Sequence, residues 1–254
     1  MIDQQHPGDW EKKYLELFSR AAESNLSRSG KAGRSSTGPE GLVETEVFDD
    51  ICRKISTKKH QTILDLGCGC GPLVDLIINF SLENGHELTL MDQNLVMAQT
   101  RSLHGERDGL IYVEGIFPYD KNMLVGHKYD SIILYGVLHY IFDPINFLEQ
   151  LAYYLKPGGH LLVGDIPNLD KKTRFIKTNF GAKIDKEYRA SLKNEGEKDS
   201  SQLNSAPYSL NDNYILKLVS HFRSMDFECY LLPQKSTLPY CYTREDLLIV
   251  RNNV

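Results

Sequence analysis

From residue 61 onward, short apolar runs alternate with stretches whose apolar positions recur every three or four residues. The runs are 62–66 (T-I-L-D-L), 87–91 (E-L-T-L-M), 110–114 (L-I-Y-V-E), 129–135 (Y-D-S-I-I-L-Y) and 159–165 (G-H-L-L-V-G-D). Helical spacing separates them at about 72–84, 94–103 and 144–155. Strands that are nearly continuous in apolar residues are covered on both faces. The pattern therefore predicts an α/β fold with a parallel sheet between helices. A helix at 212–225, carrying Tyr214, Ile215, Leu218, Val219 and Phe222, then leads to strands at 227–232 and 246–250.

Two regions break the alternation. Residues 9–23 place Trp10, Tyr14, Leu17 and Phe18 at helical spacing. The following stretch, 24–41, is rich in Ser, Gly and Arg and has no period. It reads either as a flexible linker or as a loop that closes over a ligand. Residues 1–41 thus form an N-terminal helix and lid-like segment, and 42–254, opening with a helix at 42–55, form the main domain. Residues 166–210 are polar and lysine-rich, with acids interleaved. They read as a solvated helical insert after the fifth strand, or as a second cover over the site.

Charge and cysteine content exclude several classes. The formal net charge of -5 gives no overall attraction to nucleic acid or acidic membranes. No apolar run approaches the roughly 20 residues that span a bilayer, and the N-terminus lacks a signal-peptide core. Five scattered cysteines argue against a disulfide framework, so a reduced, cytoplasmic protein is expected. Cys68 and Cys70 have no clustered partners in sequence, and no metal is expected.

The chemistry concentrates in Thr62 to Leu73, where an apolar strand ends in Asp65 and glycines recur at 67, 69 and 71 before Pro72. A strand, a glycine turn and a helix N-terminus in succession let a ligand approach backbone N–H groups. Asp92 follows Gly71 by 21 residues, a spacing suited to a carboxylate that accepts from a ribose diol. That spacing also fits dinucleotide-binding proteins. Their G-x-G-x-x-G is absent here, as is any Tyr-x-x-x-Lys pair.

I-L-D-L-G-C-G-C-G at 63–71 resembles motif I of class I S-adenosylmethionine-dependent methyltransferases. Asp92, the L-K-P-G-G-H-L-L-V-G-D run at 155–165 and the two final strands are similar to further landmarks of that family, in the same order. The resemblance covers about residues 42–251. It implies a Rossmann-like seven-stranded sheet of order 3-2-1-4-5-7-6, with strand 7 antiparallel and helices on both faces. It also implies S-adenosylmethionine as cofactor and S-adenosylhomocysteine as product. Asp65 would neighbour the cofactor's amino-acid end, Gly67, Cys68 and Gly69 its path, and Asp92 and Gln93 its ribose and adenine edge. The family often has Gly-Asp after strand three, where this chain reads Glu114-Gly115-Ile116-Phe117. Gly115 and Ile116 are then the expected adenine contacts, with the Ile116 N–H holding a ring nitrogen and Asp120 as a substitute acid. Tyr135 completes the expected cofactor set.

The same topology brings His139, Tyr140 and Asp165 to the reacting end as catalytic candidates. Arg174, Tyr242 and Arg244 are the acceptor-binding candidates, with Arg244 suited to a carboxylate or phosphate. G-D-I-P-N at 164–168, L-L-P-Q at 231–234 and T-R-E-D-L-L-I-V at 243–250 are similar to bacterial methyltransferases of surface-polysaccharide and sugar-nucleotide biosynthesis. The acceptor implied is a hydroxyl or amine of a sugar, sugar nucleotide or related glycan precursor, small and able to carry negative charge. The alternatives are a non-catalytic cofactor-binding scaffold and a nucleic-acid base methyltransferase. The Asn/Asp-Pro-Pro-aromatic turn common in the latter is absent.

Overall fold

The computed structural model describes residues 8–31, 42–55, 58–194 and 209–253. The predicted runs form β1 (Thr62–Leu66), β2 (Glu87–Asp92), β3 (Leu110–Glu114), β4 (Tyr129–Tyr135), β5 (Leu155–Pro167), β6 (Phe227–Pro233) and β7 (Arg244–Arg251). They pair in one seven-stranded sheet of order β3-β2-β1-β4-β5-β7-β6. β1 to β5 pair in parallel, while β7 runs antiparallel to both β5 and β6. This is the expected Rossmann-like methyltransferase topology.

The helices are α1 (Asp9–Glu23), α2 (Arg28–Lys31), α3 (Leu42–Lys54), α4 (Pro72–Glu83), α5 (Asn94–His104), α6 (Pro144–Ala152), α7 (Leu169–Ile176), α8 (Asn179–Asn194) and α9 (Asp212–Arg223). Successive strand residues feed opposite faces, as the period of two requires. On β4, Ile132 and Leu134 join Leu148 and Leu151 of α6 and Leu218 and Phe222 of α9. Ile133 and Tyr135 join Val47 and Ile51 of α3, and Val74 and Ile77 of α4, on the other face. Two apolar layers therefore sandwich the sheet, which explains the continuous apolar strands.

Two boundaries differ from expectation. α6 stops at Ala152, and β5 begins at Leu155 because Leu155 pairs with Tyr129 before a register shift admits the glycine turn. The region after β5 contains α7 and α8, and most described α8 side chains are exposed. The stretch 195–208 of the expected insert and 32–41 of the expected lid lie outside the described residues. No described helix is long and apolar enough to cross a membrane.

Gly164 of β5 lies opposite Tyr135 of β4. A Cβ at position 164 would lie 2.3 Å from Tyr135 Cδ2 and 2.5 Å from Cε2. The ring rests on the glycine, and both are near the ligand end of the sheet. Gly164→Ala is expected to cost about 1–3 kcal/mol by forcing that ring away. Urea unfolding measures it, and a variant as stable as the parent would contradict the packing argument.

Candidate active site

β1 delivers Asp65 and the glycine turn to the carboxyl edge of the sheet, at the switch point between β1 and β4 where open α/β sheets bind ligands. Gly67 and Gly69 adopt φ of +71° and +67°, a left-handed region that side chains disfavour. A Cβ at Gly67 would strike Val137 Cγ2 at 2.6 Å, whereas beside Gly69 there is open space. The Gly67 N–H donates to Met91 O at 2.8 Å, and Thr100 Oγ1 donates to Gly69 O at 3.2 Å. The turn is thereby fastened to β2 and α5.

Asp92 closes the cradle. Its Oδ2 accepts from the Gly69 N–H at 2.9 Å and its Oδ1 from the Gln93 N–H at 2.8 Å. A carboxylate offers about four lone-pair sites, so each oxygen keeps one for a second donor, such as one hydroxyl of a diol. Burial pushes the Asp92 pKa up to about 6, against the lowering effect of the two N–H donors.

The N-terminal segment braces the turn from the other side. Arg28 donates to Cys70 O at 3.2 Å and Gly71 O at 3.1 Å, and its guanidinium forks onto Asp75, with Nη2 to Oδ1 at 2.7 Å. Helix α2 then presents Lys31 to the cavity. Among the described residues no carboxylate pairs with Lys31. The sequence reading missed both cations, because nothing in an aperiodic Ser/Gly/Arg stretch shows which part touches the turn.

A cavity of about 480 Å³ opens over these elements. Its walls include the expected cofactor residues Asp65, Gly67, Cys68, Gly69, Asp92, Gln93, Gly115, Ile116 and Tyr135. The catalytic candidates His139, Tyr140 and Asp165 line it as well, as does Arg244. The other two acceptor candidates lie elsewhere, which corrects that expectation. Arg174 is absent from the walls and is held by both oxygens of Asp212, Nη2 to Oδ1 at 3.2 Å. Tyr242 stacks on Phe175 with ring centroids 4.9 Å apart and an interplanar angle of 3°. The Ile116 N–H is also engaged, donating to Asp120 Oδ2 at 2.8 Å, so neither group is presented to adenine as expected.

α1 roofs the cavity. Tyr14 and Phe18 pack on Tyr140 with centroids 4.8 and 5.0 Å apart. Glu11 accepts from the Tyr119 hydroxyl and from the Phe142 N–H at 3.4 Å, and Ser19 donates to Gln93 at 2.7 Å. Beneath this roof His139 lies against Tyr140, centroids 4.0 Å apart. Its Nδ1 is shut off from solvent and has no hydrogen-bond partner. Burial and the Arg244 cation push its pKa down to about 4, with Asp165 opposing. The ring is therefore neutral at physiological pH.

Residues 16–226 match a family model described as a methyltransferase domain. The chain belongs to that family. Among similar proteins is the ubiquinone biosynthesis O-methyltransferase of Vibrio cholerae serotype O1, 24% identical over 163 residues, covering 63% of this chain and 60% of the relative. The corresponding Caulobacter vibrioides enzyme is 29% identical over 130 residues, covering 50% of this chain and 47% of the relative. The chain spans less than two thirds of the length of the curated relatives it matches. Two solved structures share the fold. The plantazolicin methyltransferase BpumL with SAH superposes with a TM-score of 0.58 at 15% identity, covering 96% of this chain and 100% of that one. The mitomycin 7-O-methyltransferase MmcR gives 0.55 at 15% identity, covering 96% and 69%.

The raised pKa of Asp92 has a consequence for the stability of this chain. Its folded value, about 6, lies above the ordinary 3.8. The folded state therefore holds the proton more tightly, and stability falls as pH rises from about 4 through 6. Asp92→Asn removes that dependence. The variant's stability relative to the parent is expected to rise by ~1 kcal/mol between pH 5 and pH 7.5, discounted for the carboxylate's partial exposure. Ligand-free urea melts at the two pH values measure it, and a flat or falling difference would refute it.

Proposed function

We propose that this chain binds S-adenosylmethionine and directs its methyl group to a hydroxyl of a small acceptor with a planar, largely apolar body. One juxtaposition carries this reading: an open glycine cradle with a diol-ready carboxylate, and a neutral, sealed histidine, face the same cavity. The groups present suit the cofactor. Asp92 keeps two lone pairs for the ribose hydroxyls, Asp65 offers a carboxylate to the ammonium, and Lys31 offers a cation to the carboxylate. Gly69, with nothing beside it, leaves space for close approach. When bound, S-adenosylmethionine supplies an electrophilic methyl on a sulfonium.

The chain's own task is then to orient the acceptor, exclude water and hold a proton. The α1 roof excludes water. The His139 ring, which lines the cavity, accepts the acceptor's O–H hydrogen bond and takes its proton as the new C–O bond forms and the methyl–sulfur bond breaks. Asp165 stabilises the resulting imidazolium. A base with a pKa of about 4 is weak. It deprotonates an acidic, phenol-like hydroxyl, with a pKa of about 10 as in tyrosine, far more readily than an alkyl alcohol. The aromatic and apolar wall of Tyr14, Phe18, Tyr140, Leu238, Pro239 and Tyr240 favours the same class. The names of the ubiquinone and mitomycin relatives specify oxygen methylation, in line with a hydroxyl. A sugar nucleotide is the second reading, favoured by Arg244 in the cavity wall, whose guanidinium suits an anionic group.

Calorimetric titration with S-adenosylhomocysteine tests the cofactor assignment, and absence of binding in the parent protein would overturn the reading. Panels of phenols and sugar nucleotides, scored by S-adenosylhomocysteine release, separate the two acceptor classes. With a responding acceptor, His139→Gln is expected to lower turnover about 10²-fold or more while S-adenosylhomocysteine affinity stays within about threefold. Equal turnover in the variant would remove His139 from proton transfer.

A further inference from the structure

Asp165 is one of only two described non-glycine residues with positive φ, at +61°. It sits where the β5–β7 register shifts between Val163 and Ile166, so its backbone is bulged as well as left-handed. Such a conformation disfavours a side chain and persists only where the surroundings enforce it. Arg244 holds it from one side, with Nη1 donating to Asp165 O at 3.2 Å and Nε 3.9 Å from Asp165 Oδ1, and a buried carboxylate holds it from the other. The Asp165 N–H donates to Asp246 Oδ1 at 2.9 Å. Asp246, on β7, is completely buried, and its Oδ2 accepts from Lys54 Nζ at 2.6 Å. Lys54 also reaches Asp50 one helical turn back, at 2.5 Å. Gln234 ties this group to the cavity. Its Nε2 lies 3.2 Å from Asp246 Oδ1, 3.3 Å from Asp165 Oδ1 and 3.5 Å from the Tyr135 hydroxyl.

Asp246 and Lys54 do not line the cavity, whereas Asp165, Gln234 and Tyr135 do. A buried ion pair is a poor way to gain stability, since apolar replacements of similar volume often serve as well or better. This one, however, has an oxygen aimed at the strained amide of a residue on the cavity wall. We propose that Asp246, seated on Lys54, is a positioning residue: it holds the Asp165 bulge, and through Gln234 the Tyr135 hydroxyl, in their arrangement on the cavity wall. The functional part of this inference rests on the reading of Asp165 as a group at the acceptor end. The mechanical part stands on the geometry alone.

Amide hydrogen exchange at single-residue resolution by NMR, on the full chain, tests it. The paired change Lys54→Met with Asp246→Leu, made together with Asp50→Asn so that no buried carboxylate is left unpaired, removes the ion network and keeps side-chain volumes similar. It is expected to speed exchange at the Asp165 amide about tenfold or more, with Val163 and Ile166 much less affected. Asp246→Asn keeps an oxygen acceptor for the Asp165 N–H and is expected to restore most of the protection. It also serves should the paired variant not fold, because an Asp165 amide then protected no better than in Asp246→Ala would overturn the proposal. Unchanged exchange at Asp165 in a folded paired variant would overturn it, as would equal acceleration along all of β5, the mark of general loosening. S-adenosylhomocysteine affinity is expected to stay within about threefold of the parent's, and a loss beyond about tenfold in a variant whose parent binds would also overturn it. A parent that fails to bind S-adenosylhomocysteine would instead count against the methyl-transfer reading, leaving the exchange result to judge the bulge.

Discussion

The carboxylate of Asp92 bridges the glycine turn after β1 and the first residue after β2. Remove it, and the Gly69 and Gln93 N–H groups lose their common acceptor, and the turn loses the strut that keeps its left-handed glycines facing outward. The strut is not an optimal stabiliser. Burial opposes its charge, while each oxygen, with one N–H donor apiece, keeps a lone pair at a residue that lines the cavity. Stability is given up where a ligand supplies the missing donors, a common pattern at binding sites.

Around that strut the chain builds inward from its two ends. The N-terminal helices are wired into the site: Arg28 caps the turn's carbonyls, Glu11 locks the roof to loops after β3 and β4, and Lys31 brings the cation that the acidic cradle lacks. From the C-terminal end, the reversed hairpin of β6 and β7 carries Gln234, Arg244 and Asp246 back to the carboxyl edge of β5. One end of the cavity therefore answers to the glycine turn. The other answers to residues more than a hundred positions away.

The contrast between Asp92 and His139 shows how burial divides labour. Desolvation raises an acid and lowers a base, so both groups are held closer to neutrality than in water. For Asp92 this readies a carboxylate to gain hydrogen-bond donors. For His139 it keeps an imidazole uncharged next to Arg244, in a ring that lines the cavity. Two opposite shifts, each led by burial, give the two ends different chemical characters.

The sequence by itself determined the alternation of strands and helices, the glycine cradle and Asp92, because these are written in local signals, while the sheet order followed from the resemblance of its motifs to a known family. Short, nearly continuous apolar runs, glycines at positions requiring left-handed turns and an acid at a strand end all act over a few residues. It also placed His139, Tyr140, Asp165 and Arg244 at the carboxyl edge of the sheet, where they line the cavity, since topology alone places strand ends. Only the tertiary structure decided which long-range partners complete the site. Arg174 and Tyr242 looked like acceptor contacts, yet Asp212 and Phe175 engage them first. Lys54, Gln234 and Asp246 looked ordinary, yet packing of α3 beneath the final hairpin turns them into one buried network. The physical reason is common to all five. A polar side chain's role depends on which partner reaches it when water is removed, and that partner is chosen by folding across the sheet rather than by neighbours in the chain.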